Sequence, residues 1–234
     1  MALSPSDLAA IEDAIRDAEA RTTGEIYCVV TEQSGDYGET PLAWAAGVAL
    51  LGPALLLLGG VHVTVTDLFG GWTAAQVGEA AGRAARDALS GAIILQAVLF
   101  VLTLVVVALP PVRLALTPRA FKRDRVRRRA LEQFAGKNLH LTRERTGVLI
   151  FVSFAERMAE LIADEGIADH VAPHVWDQAM AALTDGLGRG QPGAGVSAAI
   201  GLCGAVLAER FPPGACDNDN PDELPNAVVV LPRA

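Results

Sequence analysis

The chain has 234 residues, 51% of them apolar and only 20% charged, with a mean hydropathy of +0.34 and a formal net charge of −8. That balance is too greasy for an ordinary soluble domain and too acidic for a general nucleic-acid binder, so membrane content is the first expectation. The apolar excess is also concentrated: Thr40 to Thr66 holds no Asp, Glu, Lys or Arg, His62 being its only titratable side chain, and Ala88 to Val112 holds no titratable side chain at all.

Residues 4 to 20, SPSDLAAIEDAIRDAEA, open with a Ser-Pro-Ser cap signal and place Leu8, Ile11, Ile15 and Ala18 on one face, as an amphipathic helix does. Met1 to Ala20 lacks a basic start followed by an apolar core, so no cleavable signal peptide is expected there. Gly24 stops the helix, and EIYCVVTE, Glu25 to Glu32, reads as a strand.

Residues 41 to 66 and 88 to 112 then predict two transmembrane helices, since about 20 predominantly apolar residues cross a bilayer core. The first carries Pro53 and several glycines, which membrane helices tolerate; the second ends at Pro110 and Pro111. Residues 67 to 87 would form the external loop, with Arg83 and Arg86 as its only basic residues. Eight basic residues lie between Arg113 and Arg129, and this asymmetry predicts a bacterial inner-membrane protein with both termini cytoplasmic.

Within the basic run Phe121, Val126, Ala130, Leu131 and Phe134 keep a helical apolar stripe, so one face packs and the rest meets solvent or lipid. Arg119, Lys122, Arg123, Arg125, Arg127, Arg128 and Arg129 are the expected lipid-headgroup contacts, each contributing on the order of 1 kcal/mol. No aromatic residues alternate with the arginines to stack on bases, so nucleic acid is not an expected partner.

RTGVLIFVSF, residues 145 to 154, has the continuous apolar character of a central strand covered on both faces. ERMAELIADEGI fits either a short helix or a hairpin strand. PHVWDQAMAALTDGLGRG has Pro at a helix start and Gly at its end, and a last Gly- and Ala-rich helix from about Gly195 to Glu209 reads as buried rather than as a third span. The acidic tail, residues 213 to 234, offers AVVVL as a final edge strand or remains mobile. Two strong strands are thus separated by the membrane hairpin and a helix able to serve as a parallel crossover. The expected α/β domain is therefore discontinuous, residues 1–40 and 113–212, with the hairpin inserted between its strands.

Several patterns carry formal chemistry. Gly188, Gly190 and Gly193 match G-x-G-x-x-G but follow a helix instead of a strand, so a helix-helix turn is the better reading. His170 and His174 have a zinc-like spacing broken by Pro173, without a third ligand. DNDNPDE, residues 217 to 223, fails as an EF-hand because its sixth and twelfth positions are Asp222 and Val228. Cys28, Cys203 and Cys216 form no CxxC pair, and the first two sit in apolar contexts as buried thiols. Glu32 and Asp36 after the first strand, with Asp164 and Glu165 after the second, are the candidate metal ligands: if they converge beyond strand ends they would hold a hard cation such as calcium.

GEIYCVV, RTGVLIFVS, ERMAELIADEGI, the helix with Trp176, the turn GLGRGQPGAG and FP followed by DELP, in that order, resemble the TPM domain family, and more closely its bacterial integral-membrane branch. The resemblance covers residues 7 to 40 and 118 to 231 and implies a compact α/β domain, a small mixed sheet with helices on both faces. Some members are acid-phosphatase-like or calcium-binding; others are accessory factors. Many relatives place the domain outside the cytoplasm, an arrangement from which this chain departs by its internal hairpin and arginine-rich helix.

The expected function is a membrane-anchored accessory module contacting lipids and another membrane protein. The alternative is a calcium- or magnesium-assisted acid-phosphatase-like hydrolase, and a transporter subunit ranks third because neither span carries an acid or base.

Overall fold

The computed structural model describes residues 3–59, 74–137, 145–168, 171, 173–213 and 227–233. The chain divides into two units, Met1–Asp36 with Pro118–Ala234, and Tyr37–Thr117.

In the first unit, α1 (Pro5–Glu19) begins with a capping box: the Asp7 N–H donates to Ser4 Oγ at 3.1 Å and the Ser4 N–H donates to Asp7 Oδ2 at 2.9 Å. Two otherwise orphaned helix donors are satisfied in this way. The strands β1 (Glu25–Thr31) and β2 (Gly147–Ser153) pair in parallel, with every one of their residues buried. β3 (Met158–Ala163) returns antiparallel to β2 and leads into the one-turn α6 (Glu165–Ala168), and β4 (Val229–Leu231) adds parallel to β1, so the mixed sheet runs β3-β2-β1-β4. AVVVL accordingly supplies an edge strand, and the ambiguous ERMAELIADEGI is the second arm of a hairpin.

Strand alternation sorts the core into two layers. Ile26, Cys28, Val30, Val148, Ile150 and Val152 face α1, α7 (Asp177–Gly188) and α8 (Pro192–Arg210). Tyr27, Val29, Leu149 and Phe151 face Val126 and Ala130 of α5 (Arg119–Gly136), the helix that brings the chain back to β2. Central strands apolar on both sides are the response to helices on both sides.

Glycine sets the helix packing. A Cβ on Gly204 would stand 2.5 Å from the Ala18 Cβ, and one on Gly186 would stand 2.5 Å from the Gly195 Cα, so α1, α7 and α8 approach more closely than larger residues allow. Gly190, at φ 74, makes the turn between α7 and α8, where left-handed backbone favours glycine.

The second unit contains α2 (Glu39–Leu58), α3 (Ala74–Ala108) and α4 (Pro110–Leu116). Small residues line the α2–α3 contact: Ala45 and Ala49 are buried, and a Cβ on Gly52 would meet Leu99 Cδ1 at 3.1 Å. The ends of the unit also meet: Thr40 Oγ1 and Thr117 Oγ1 lie 2.9 Å apart, and the Trp44 indole N–H donates to the Leu116 carbonyl at 3.3 Å.

Two boundaries of the sequence reading are corrected. Residues 74–87, expected in the loop between the spans, are helical and continuous with α3. The helix over the expected second span stops at Ala108 instead of residue 112, because Leu109 is driven extended (ψ 126) before Pro110, and α4 restarts there with Pro at its first position. The end of the first span, residues 60–66, lies outside the described residues.

Among the described residues two helical stretches are long and apolar enough to cross a membrane. Leu89–Ala108 has a hydropathy of 2.7 and is 6% buried; Pro192–Arg210 has 1.4 and is 50% buried.

Candidate functional site

Polar chemistry in the first unit gathers at the two ends of the sheet. Beyond the carboxyl ends of β1 and β2, the Ser34 hydroxyl bonds to Ser153 Oγ at 2.8 Å, and the Ser153 hydroxyl donates to Glu156 Oε2. The Ser34 N–H reaches Glu156 Oε1 at 3.0 Å. Ser34, Ser153 and Glu156 are all buried. A buried carboxylate is expensive unless its lone pairs are used, and here backbone and hydroxyl donors use them.

This network joins three places: the segment leaving β1, the last residue of β2 and the β2–β3 turn. The turn itself is closed by the Arg157 N–H donating to the Phe154 carbonyl at 3.2 Å, with Arg157 at φ 52. The adjacent Ala155 N–H donates to the Glu32 carbonyl at 2.9 Å. Ser34 and Ser153 spend their hydroxyl protons inside the protein, so the cluster acts as a lock on the end of the sheet. It escaped the sequence reading because Ser34 and Ser153 are 119 positions apart and serine carries no distinguishing pattern.

At the opposite end Glu25, Gly147 and Asp164 occupy one row across β1, β2 and the end of β3, since Glu25 pairs with Gly147 and the Asp164 N–H donates to the Gly147 carbonyl at 2.9 Å. Asp164 is 4% exposed; its Oδ1 accepts the Glu165 N–H at 2.7 Å, and its Oδ2 lies 4.0 Å from Arg145 Nε. Arg145 also pairs with Glu165 at 2.8 Å from a left-handed backbone, φ 54. Arg145 thus faces both Asp164 and Glu165, while Asp164 Oδ2 is buried without a hydrogen bond among the described residues.

The four candidate metal ligands do not converge. Glu32 and Asp36 are exposed beyond the carboxyl end of β1, whereas Asp164 and Glu165 stand beside the amino end of β2. The reason is the antiparallel return of β3, which carries its terminus back along a seven-residue strand, about 20 Å. Among the described residues no three His, Cys, Asp or Glu side chains form a metal-binding group.

The basic helix keeps most of its charge outward. Arg119, Arg123, Arg127 and Arg128 are exposed, and Lys122, Arg125 and Arg129 are half-buried. Arg128 pairs with Asp124 at 2.8 Å, Arg123 lies 3.8 Å from Glu160, and Arg129 Nη2 donates to the Pro232 carbonyl at 3.0 Å. Arg129 is thereby committed to the chain after β4.

The glycine pattern is a helix-helix turn: Gly188 meets nothing within 4 Å, Gly190 turns the chain, and a Cβ on Gly193 would collide with Asp7 Oδ1 at 2.3 Å. His174 sits in a 3-10 turn, Pro173–Trp176, while His170, Cys216 and residues 217–223 lie outside the described residues. Cys28 and Cys203 are buried, and desolvation pushes both thiols up to about 12, so neither is a poised nucleophile.

No family model matches the chain, and neither does any curated protein. Among solved structures, the NMR structure of BA42 protein from the psychrophilic bacterium Bizionia argentinensis is similar at a TM-score of 0.54 and 20% identity, covering 98% of this chain and 96% of that one. At that identity the likeness concerns the fold alone: a mixed α/β architecture with a small four-stranded sheet.

Proposed function

We propose that the chain is a TPM-like, membrane-anchored accessory module of the bacterial inner membrane, its α/β domain cytoplasmic and its role the engagement of lipid headgroups and another membrane protein. The observation that carries this reading is the surface of α3: Leu89, Ile93, Ile94, Val98, Val101, Leu102 and Val105 are all more than half exposed over one charge-free stretch. Burying a Leu or Ile side chain is favourable by about 1.5–3 kcal/mol, and hydrocarbon would cover a surface that water should not. Arg119, Lys122 and Arg127, without ion-pair partners among the described residues, supply charge for anionic headgroups.

The test is fractionation with and without an alkaline wash. The protein should stay in the membrane pellet, and release by the wash would end the anchoring proposal. A reporter active only outside the cytoplasm, fused at Ala234, should be silent; its activity would reverse the orientation. The hydrolase alternative draws little support from acids held at opposite ends of the sheet. Phosphoester hydrolysis should be absent with calcium or magnesium, and metal-dependent turnover abolished by Glu32→Ala or Asp36→Ala would restore it.

A further inference from the structure

β3 lies at the edge of the sheet: β2 pairs with one side, and among the described residues no strand pairs with the other. The bond from the Asp164 N–H to the Gly147 carbonyl fixes the alternation of its backbone. Every second residue of an antiparallel strand turns its N–H and C=O to the same neighbour, so Met158, Glu160 and Ile162 face β2 while Ala159, Leu161 and Ala163 face outward. That outer edge opens into a groove of about 400 Å³ whose walls include Arg123 of α5 and Trp176, Met180 and Thr184 at α7. Since α5 and α7 pack on opposite faces of the sheet, the edge lies in a slot between two helices.

We infer that this groove takes one extended segment of a partner protein, added to the sheet beside β3, with acidic residues at alternate positions and apolar residues between them. The inference rests on the interaction-module reading above and names where and how that partner binds. Unpaired strand donors and acceptors call for extended backbone, which is the basis of strand-addition recognition. A slot walled by two helices suits a single strand better than a second copy of the domain, which would bring its own pair of helices against these walls.

Charge specifies the rest. Arg119, Arg123 and Arg127 follow one another at i, i+4 and i+8 along one row of α5; Arg123 lines the groove, 3.8 Å from Glu160, and Arg119 and Arg127, exposed and without ion-pair partners among the described residues, continue the row to either side of it. Successive members are about 6 Å apart on a helix, while alternate residues of a strand are about 6.7 Å apart, so acids at every second position meet the row nearly in step. The intervening side chains turn to the other wall, where Trp176 and Met180 are apolar and Asp177 and Thr184 flank them. Arg157 stands at the mouth of the groove on left-handed backbone, φ 52, where glycine would be unstrained. The arginine there keeps a further positive charge beside the entering strand.

The test uses the full chain in detergent micelles and a fluorescein-labelled heptapeptide alternating Val with Asp or Glu, read by fluorescence anisotropy. Saturable binding is expected, weakened about tenfold or more when the same residues are shuffled out of alternation and likewise in the Arg119→Glu, Arg127→Glu double variant. Leu161→Pro removes an outward N–H without touching the β2 ladder and should abolish binding. Because that variant can also disturb the strand, the same peptide N-methylated at alternate residues is offered to the unaltered protein; one of its two registers should lose binding. Equal affinity for ordered and shuffled peptides, indifference to N-methylation in both registers, or no binding would overturn the inference. So would disulfide cross-linking of Leu161→Cys copies to one another in intact membranes, which would assign the edge to a second copy. Membrane retention after the alkaline wash reads the anchoring proposal separately, so failure of the peptide with retention intact removes only the docking site.

Discussion

Leu89–Ala108 of α3 and Pro192–Arg210 of α8 are both long and apolar enough to cross a membrane, yet 6% of the first and 50% of the second is buried. They differ in side-chain size. α3 presents Leu, Ile and Val around its circumference, whereas α8 carries Gly193, Gly195, Gly201 and Gly204 with several alanines. Large branched side chains leave α3 an apolar surface that the described residues do not cover; small ones let α1 and α7 come close enough to cover α8. Length and apolarity therefore do not tell these two helices apart, and burial does.

The comparison breaks most visibly at Gly204. Its Cβ position is already 2.5 Å from Ala18, so Gly204→Leu should destabilise the fold by about 3 kcal/mol in denaturant unfolding. Ala97→Leu, at an exposed position of α3, should leave the unfolding midpoint unchanged. A charge sharpens the contrast from the other side: Val101→Arg should oppose membrane insertion by about 2.5–3.5 kcal/mol and lower membrane retention. Val196→Arg, at a fully buried position of α8, should unfold the α/β unit while membrane retention persists.

Smaller effects probe the packed region alone. Glu156→Ala leaves the Ser153 hydroxyl and the Ser34 N–H buried without their acceptor and should cost about 1–3 kcal/mol of stability. The least effect at neutral pH is that of Cys28 and Cys203. Their folded thiols are raised to about 12 from 9.0, so they leave stability untouched below about pH 9 and reduce it as pH rises from 9 toward 12. In a Cys216→Ser background a thiol reagent at pH 8 should label Cys28 and Cys203 only on unfolding, and labelling of Cys203 in the native protein would contradict the packing of α8.

Much of this fold is legible in the residues. EIYCVVT and GVLIFVS are too continuously apolar for strands with a wet face, and their parallel pairing across an insertion follows from the helix between them. The buried reading of α8 follows from its glycine and alanine content. The direction of β3 is not legible, because its reversal depends on a turn whose left-handed position is filled by Arg157, where Gly or Asn would have announced it. That single turn separates the acids that appeared able to converge. The early start of α3 is available in EAAGRAARDAL, whose alanines favour helix, although the charge-free stretch begins only at Ala88. Ser34, Ser153 and Glu156 meet only through the tertiary fold, and the groove beside β3 exists only once α5 and α7 are in place.

The pairing of β1 with β2 also sets a clock. About 115 residues separate Thr31 from Gly147, and a ribosome adding about 5–20 residues per second takes roughly 6–23 s to make them. Through that interval a strand destined for complete burial has no neighbour, while the hairpin that will bring Thr40 to Thr117 is, on the membrane-anchor proposal, being delivered to the bilayer. The rate of that delivery thus limits when the sheet can close, and a hairpin variant that inserts slowly should leave the newborn chain sensitive to protease for longer in a pulse-chase experiment.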